Sequence, residues 1–255
     1  MEPGAYSIVG SALLHQRHLE IATNNLANMN TVGYKAERPL FRLDANFLPP
    51  GEFPHLGKDA IQRSLWSRTH IDFTQGNIKQ TGNPLDVALN GPGFFVLQTP
   101  DGPRYTRAGQ FKLNGAGDLI SPEGWPVLGR GGNPIRLAGA ALAGAKILIG
   151  GAGEVQVGGQ AVGQLDVVDF PTPYRLEKRG GATFALTDPD ARSTPVAAPR
   201  IVQGALEHSN VGSVAEMVGL IETARLYEAY QKILQSFDDA RGRAVNDLGR
   251  VQESA

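Results

Sequence analysis

The stretch Tyr6-Ser7-Ile8-Val9-Gly10-Ser11-Ala12-Leu13-Leu14-His15-Gln16-Arg17-His18-Leu19-Glu20-Ile21-Ala22-Thr23-Asn24-Asn25-Leu26-Ala27-Asn28-Met29 decides the fold. Its apolar or small residues Ile8, Ala12, Leu19, Ala22, Leu26 and Met29 fall on a 4-3 spacing, which lines them along one seam of an α-helix, with His15 as the polar occupant. Pro3 suits the first turn, where a missing N–H costs nothing. Gly33 lies past the end, where a glycine can take a positive φ. The spacing predicts a helix that stops near Asn30. A helix of this length is marginal by itself in water, so the seam calls for a partner.

That partner stands at the other end of the chain. Ser213-Val214-Ala215-Glu216 reads as a capping box, in which the serine and glutamate side chains satisfy each other's backbone N–H groups. The helix it opens runs to about Leu248, uninterrupted by proline, and Gly242 costs it only ~1 kcal/mol. Its seam is Met217, Leu220, Ala224, Tyr227, Leu234 and Phe237. At ~1.5 Å per residue, about 35 residues make a rod of about 50 Å, longer than a small domain is wide. Pairing the two seams brings the ends of the chain together. Packing both helices on the middle of their own chain satisfies the same periodicity, so the two readings stay open. Ile221, Leu226, Tyr230 and Ile233 lie off one seam, and Leu13 and Leu14 off the other, beyond what a two-helix hairpin covers.

Between the helices the period changes. From Ala36 to Thr81 the prolines at 39, 49, 50 and 54 and the lack of a steady period argue for an extended connector. Beyond it, short apolar or alternating runs separated by turn residues read as strands. They are Leu85–Leu89, Phe94–Leu97, Gln110–Leu113 through Asn114-Gly115 to Asp118–Ile120, Trp125–Leu128, Lys146–Ile149, Glu154–Val157, Gln164–Phe170, Thr183–Leu186 and Arg200–Leu206. The Gly/Ala-rich stretch 129–163 is punctuated by Ile135, Leu137, Ile147, Leu148, Ile149, Val155 and Val157, so it reads as tight turns between strands. The expectation is an α+β protein: residues 1–35 with 208–255 as a coiled-coil-like helical stalk, 36–81 as a connector arm, and 82–207 as an all-β domain.

Composition removes several function classes. The 255 residues carry a formal net charge of −1 with lysine and arginine scattered, which gives no footprint for nucleic acid or an anionic membrane. The absence of cysteine excludes disulfides, thiolate metal sites and cysteine nucleophiles. No apolar run approaches the ~18 residues of a membrane span, and the start lacks the pattern of a cleavable signal.

Asn24-Asn25-Leu26-Ala27-Asn28 followed by Thr31-Val32-Gly33-Tyr34-Lys35 resembles the N-terminal signature of the flagellar rod, hook and hook-associated protein family. Gly82-Asn83-Pro84-Leu85-Asp86-Val87-Ala88-Leu89, Gly93-Phe94-Phe95, Tyr105-Thr106-Arg107 and Gly109 agree with it, as do Ser209-Asn210-Val211, Glu216-Met217 and Arg225-Leu226-Tyr227-Glu228. The resemblance spans essentially the whole chain. The chain's size fits the mid-sized rod subunits, and its wording over 83–89 is more similar to the proximal-rod kind than to the distal.

The resemblance implies a structural, non-enzymatic subunit of the basal-body rod in the periplasmic space. It implies export through the flagellum's own apparatus without a cleavable signal, assembly with copies of itself and neighbouring rod proteins, and transmission of torque. No cofactor and no small-molecule substrate are implied. The terminal helices would form the inner tube, with the β domain outward. Its assembly residues would be Ile8, Ala12, Leu19, Ala22, Asn24, Asn25, Leu26, Asn28, Met217, Leu220, Ala224, Tyr227, Leu234 and Phe237. Asn24, Asn25 and Asn28 offer carboxamides that donate and accept at a crowded helix end, or serve there as caps and turn formers.

Enzymatic signals are thin. His15 and His18 stand at a spacing that suits a metal but have no third ligand near them, and His55, His70 and His208 are isolated. Gly151-Ala152-Gly153 lacks the third glycine of a dinucleotide loop, and Asp238 and Asp239 diverge by about 100° on a helix. The competing function is a carbohydrate-binding surface made by Phe94, Phe95, Tyr105 and Trp125, against which stands their use as core.

Overall fold

The computed structural model describes the backbone of residues 3–44, 64–137, 144–188 and 192–252. It describes the side chains of these except 3–10, 41–44, 64–68, 241 and 244–252. Pro49, Pro50, Pro54 and His55, and the side chain of Ile8, lie outside the described residues. The protein is α+β: helix α1 (Pro3–Ala27) and helix α2 (Ser213–Gln252) enclose in sequence a middle made of strands. It divides into a helical unit, residues 1–27, 37–72 and 212–255, and a β unit, residues 28–36 and 73–211.

In the helical unit α1 packs along α2. α1 ends at Ala27, short of Asn30, because a turn takes over. Thr31 N–H donates to the Asn28 carbonyl at 3.0 Å and Thr31 Oγ1 to Asn28 Oδ1 at 3.1 Å. α2 begins at Ser213, but the reciprocal cap expected there does not form. The Glu216 N–H donates to the Gly212 carbonyl at 2.9 Å, and its carboxylate accepts from Asn25 Nδ2 at 3.3 Å instead of turning back on its own helix. Strands β1 (Glu37–Asp44) and β2 (Ser64–Ile71), within the segment read as a connector, pair antiparallel from Glu37 opposite Ile71 to Asp44 opposite Ser64. A lone two-stranded ribbon is marginal in water, and this one is supported by contact with α1.

The β unit is built around a six-stranded sheet in the order 176–178, 183–186, 102–106, 94–99, 167–169, 194–195. Its central strand Phe94–Thr99 is buried on both faces over Phe94–Leu97, which is why that part of its sequence is a continuous apolar run. Phe95 joins Leu97, Phe111, Leu119, Val127, Ile135, Val155 and Leu165 in a largely aliphatic core. Phe94, one residue away and so on the other face, meets Phe73, Phe170, Tyr174 and Phe184 at centroid distances of 5.6, 5.9, 5.7 and 5.9 Å. The hairpin expected at Asn114-Gly115 has a five-residue loop, 114–118. Asn114 Oδ1 accepts from the N–H groups of Ala116 and Asp118, and the left-handed position falls at Gly117, φ 82°.

Candidate assembly site

Where α1 meets α2, Ala12, Ile21, Ala22 and Asn25 are buried, and His15, His18, Leu19 and Leu26 are half-buried. From α2, Thr223 is buried, and Leu220, Ala224, Tyr227, Tyr230 and Leu234 are half-buried. Met217 and Phe237 are exposed, as is Asn24, and Asn28 is half-buried in its turn within the β unit. Sequence spacing missed three contributors. Ile21 is a full core residue, Thr223 turns its hydroxyl back to the Gly219 carbonyl at 2.7 Å, and Tyr230 stacks on His15 with ring centroids 5.2 Å apart. A threonine that satisfies itself in this way reads as polar surface in a sequence yet packs as an apolar residue.

Asn25 is the polar hinge of the helical unit. Its Nδ2 donates to the Glu37 carbonyl at 2.8 Å and its Oδ1 accepts from the Glu37 N–H at 2.9 Å, so one side chain binds the start of β1 as a neighbouring strand would. Replacing Asn25 with alanine removes both bonds to the part-buried main chain of Glu37 and is expected to cost about 1–3 kcal/mol. Hydrogen exchange would read it as lost protection at the end of α1 and the start of β1.

His15 gives the helix pair a pH dependence of definite sign. Burial, then the neighbouring His18, hold its pKa below the ordinary 6.5, and its buried Nδ1 has no hydrogen-bond partner. In the window below pH 6.5 the unfolded chain binds more protons than the folded one. Stability is therefore complete above 6.5 and falls as the solution is acidified through the folded pKa. His15→Phe keeps the stack on Tyr230 and removes the proton. Its helix melting is expected to be flatter with pH across that window than the wild type's.

Among the exposed charges of α2 run two apolar stripes. Val214, Met217, Val218 and Ile221, spaced i, i+3, i+4, i+7, form one stripe in which Val214 is 75% exposed. Leu226, Ile233 and Phe237 form a second, roughly 130° around the helix at 3.6 residues per turn. Leu13 of α1 is 60% exposed. Single exposed apolar residues need no explanation, but aligned stripes of them mark surfaces that meet other surfaces.

The rest of the N-terminal motif lies in the β unit, around a buried ionic cluster that the sequence did not announce. Lys35 Nζ donates to Glu207 Oε1 at 2.6 Å and to the Thr74 carbonyl at 2.7 Å, and both charged side chains are wholly buried. The Gly76 N–H also reaches Glu207 Oε1, at 2.9 Å. Arg107 Nη1 stands 3.4 Å from Glu207 Oε2 and donates to the Gly91 carbonyl at 2.8 Å. Burial draws the Arg107 pKa down, Glu207 pulls it up, and an arginine in either case stays charged. Lys178 Nζ lies 3.6 Å from the centre of the Tyr34 ring and donates to the Lys35 carbonyl at 3.0 Å. The Gly33 N–H donates to the Glu207 carbonyl at 2.8 Å.

The structure answers the competing readings of single residues. Phe94, Phe95 and Tyr105 are buried and Trp125 packs against the core, so they offer no stacking platform for a sugar. Gly151-Ala152-Gly153 is the turn between strands 147–149 and 154–157. Asp238 and Asp239 are exposed, as is His70 at the end of β2. Among the described residues no group of three His, Cys, Asp or Glu side chains could hold a metal ion, and no helix is long and apolar enough to cross a membrane.

Comparison with known proteins identifies the family. Three family models match: Flagella basal body rod protein over residues 11–35, Flagellar hook protein FlgE/F/G D1 domain over 88–157, and Flagellar basal body rod FlgEFG protein C-terminal over 202–248. The chain is 33% identical to the flagellar basal-body rod protein FlgF of Caulobacter vibrioides, covering 98% of this chain and 100% of that one. It is 33% identical to FlgF of Escherichia coli, over 96% and 97% of the two chains. With the flagellar basal-body rod protein FlgG of Agrobacterium fabrum the identity is 32%, over 88% and 91%. The chain belongs to the flagellar basal-body rod protein family, a structural family, and within it is FlgF-like.

Proposed function

We propose that this rod subunit polymerises through its terminal helices, α1 and α2 pairing as a coiled-coil-like stalk whose outer stripes bind copies of the chain and neighbouring rod proteins. The observation that carries this reading is the pair of apolar stripes on α2, Val214 to Ile221 and Leu226 to Phe237, left exposed although α1 already covers a third face. Contacts that run head to tail without closing generate a helical polymer, and such a polymer passes torque along its axis. The subunit reaches the periplasmic rod by the flagellum's own export route.

Ile221→Asp and Leu226→Asp test the reading, because each places a charge in a surface desolvated only on assembly. Both proteins are expected to melt like the wild type and to be missing from isolated basal bodies, with swimming lost. Normal incorporation and swimming by both would overturn the role given to the helices.

A further inference from the structure

The chain passes between the helical and β units four times, at residues 27/28, 36/37, 72/73 and 211/212. All four passages are tied, on the β-unit side, to one group of bonds. Segment 28–36 contributes the Gly33 N–H, bonded to the Glu207 carbonyl, and Lys35, bonded to the Glu207 carboxylate. Its last residue, Ala36, donates its N–H to Asn210 Oδ1 at 2.8 Å. The segment entering at Phe73 contributes the Thr74 carbonyl, which accepts from both Lys35 and Asn210, and the Gly76 N–H on Glu207. The segment leaving at Val211 carries Glu207 and Asn210 themselves.

From this convergence we infer that Lys35, Glu207 and Asn210 form the mechanical root of the β unit, the place where force or twist arriving along the chain is transferred into the folded domain. The inference rests on the rod reading for its purpose and on the bonds alone for its mechanics. Force applied between the two termini first draws α1 from α2; it then enters the β unit at 28 and at 211 and acts there across the bonds joining 33–36 to 207–210. Charge-assisted and paired backbone bonds are directional, and they resist displacement over a short distance where apolar contacts slide. A buried ion pair, a poor source of equilibrium stability, suits that task.

The experiment holds the full chain by its two ends under constant force and times the unfolding of the β unit. Asn210→Ala removes the outer bonds without burying an unpaired charge, Glu207→Gln weakens the centre, and Asp118→Asn breaks an exposed pair elsewhere in the unit. The lifetime under load is expected to shorten roughly tenfold in Asn210→Ala and more in Glu207→Gln, and to stay unchanged in Asp118→Asn. Unchanged lifetimes in the first two, or an equal loss in the third, would overturn the inference. Asn210→Ala, incorporated into rods, is expected to lose swimming speed faster than wild type as the medium is thickened. Equal loss would overturn its part in torque. Failure of the rod reading itself looks different, since the wild-type protein would then be missing from isolated rods.

Discussion

Replacing Glu207 with alanine is expected to destabilise the β unit by about 3–5 kcal/mol, because it leaves Lys35, wholly buried, without its carboxylate and Arg107 without its own counter-charge. The loss exceeds that of a surface pair such as Arg17 with Glu20, whose exposed side chains contribute little. Denaturant melts of the wild type, Glu207→Ala, Lys35→Met and the double variant Lys35→Met/Glu207→Leu measure it. The single variants are expected to fall steeply and the double variant to recover much of the loss, since an apolar pair of similar volume avoids the desolvation of both charges. Strictly additive losses would show that the two side chains do not act on each other.

Gly33→Ala is expected to cost about 2–5 kcal/mol. The backbone at Gly33 has φ 68°, which costs an L side chain energy before any contact is counted. An added Cβ would also lie 2.2 Å from the amide nitrogen of Ala108 and 2.5 Å from the carbonyl carbon of Arg107. These are main-chain atoms that no rotamer change can move aside. Relief requires segment 28–36 to lift from the main chain of Arg107 and Ala108, just past strand 102–106, which lengthens the Gly33 to Glu207 hydrogen bond and disturbs Lys35 two residues away. A thermal melt reads the loss, and fluorescence quenching of Tyr34, buried in the wild type, reads the lifting. An unchanged melt would mean that this close approach is not maintained in solution.

The helices and the strand-rich middle were legible in the sequence because each rests on a local period. Residues three and four apart share a helix face, and the runs at 94–97, 147–149 and 154–157 carry their burial pattern in adjacent letters. The start of α2 at Ser213 was legible too, although the bond expected of Glu216 goes to another helix. What was hidden is non-local. β1 and β2 pair across residues 45–63, and nothing in either strand names its partner. Lys35 and Glu207 are 172 residues apart, and charged letters read as surface unless the fold that buries them is known.

Strand 102–106 was missed because Pro103 argues against a central strand. The fold tolerates it because the strand at 183–186 pairs only with Tyr105 and Thr106, leaving Pro103 beside a single neighbour. Asn25 was visible as a motif residue and its chemistry was foreseen, but its partner, the main chain of Glu37, became visible only with the fold.

Cross-linking tests the account of the helices most directly, since the chain has no cysteine of its own. Val218→Cys and Ile233→Cys place one thiol on each exposed stripe of α2. Treated with a short thiol-to-amine cross-linker in intact basal bodies, both are predicted to join the subunit to a neighbouring axial subunit, and the free monomer at the same concentration to give no such product. Monomer-sized protein alone from the intact basal bodies, with both thiols still open to a small maleimide, would contradict the assembly role of the terminal helices.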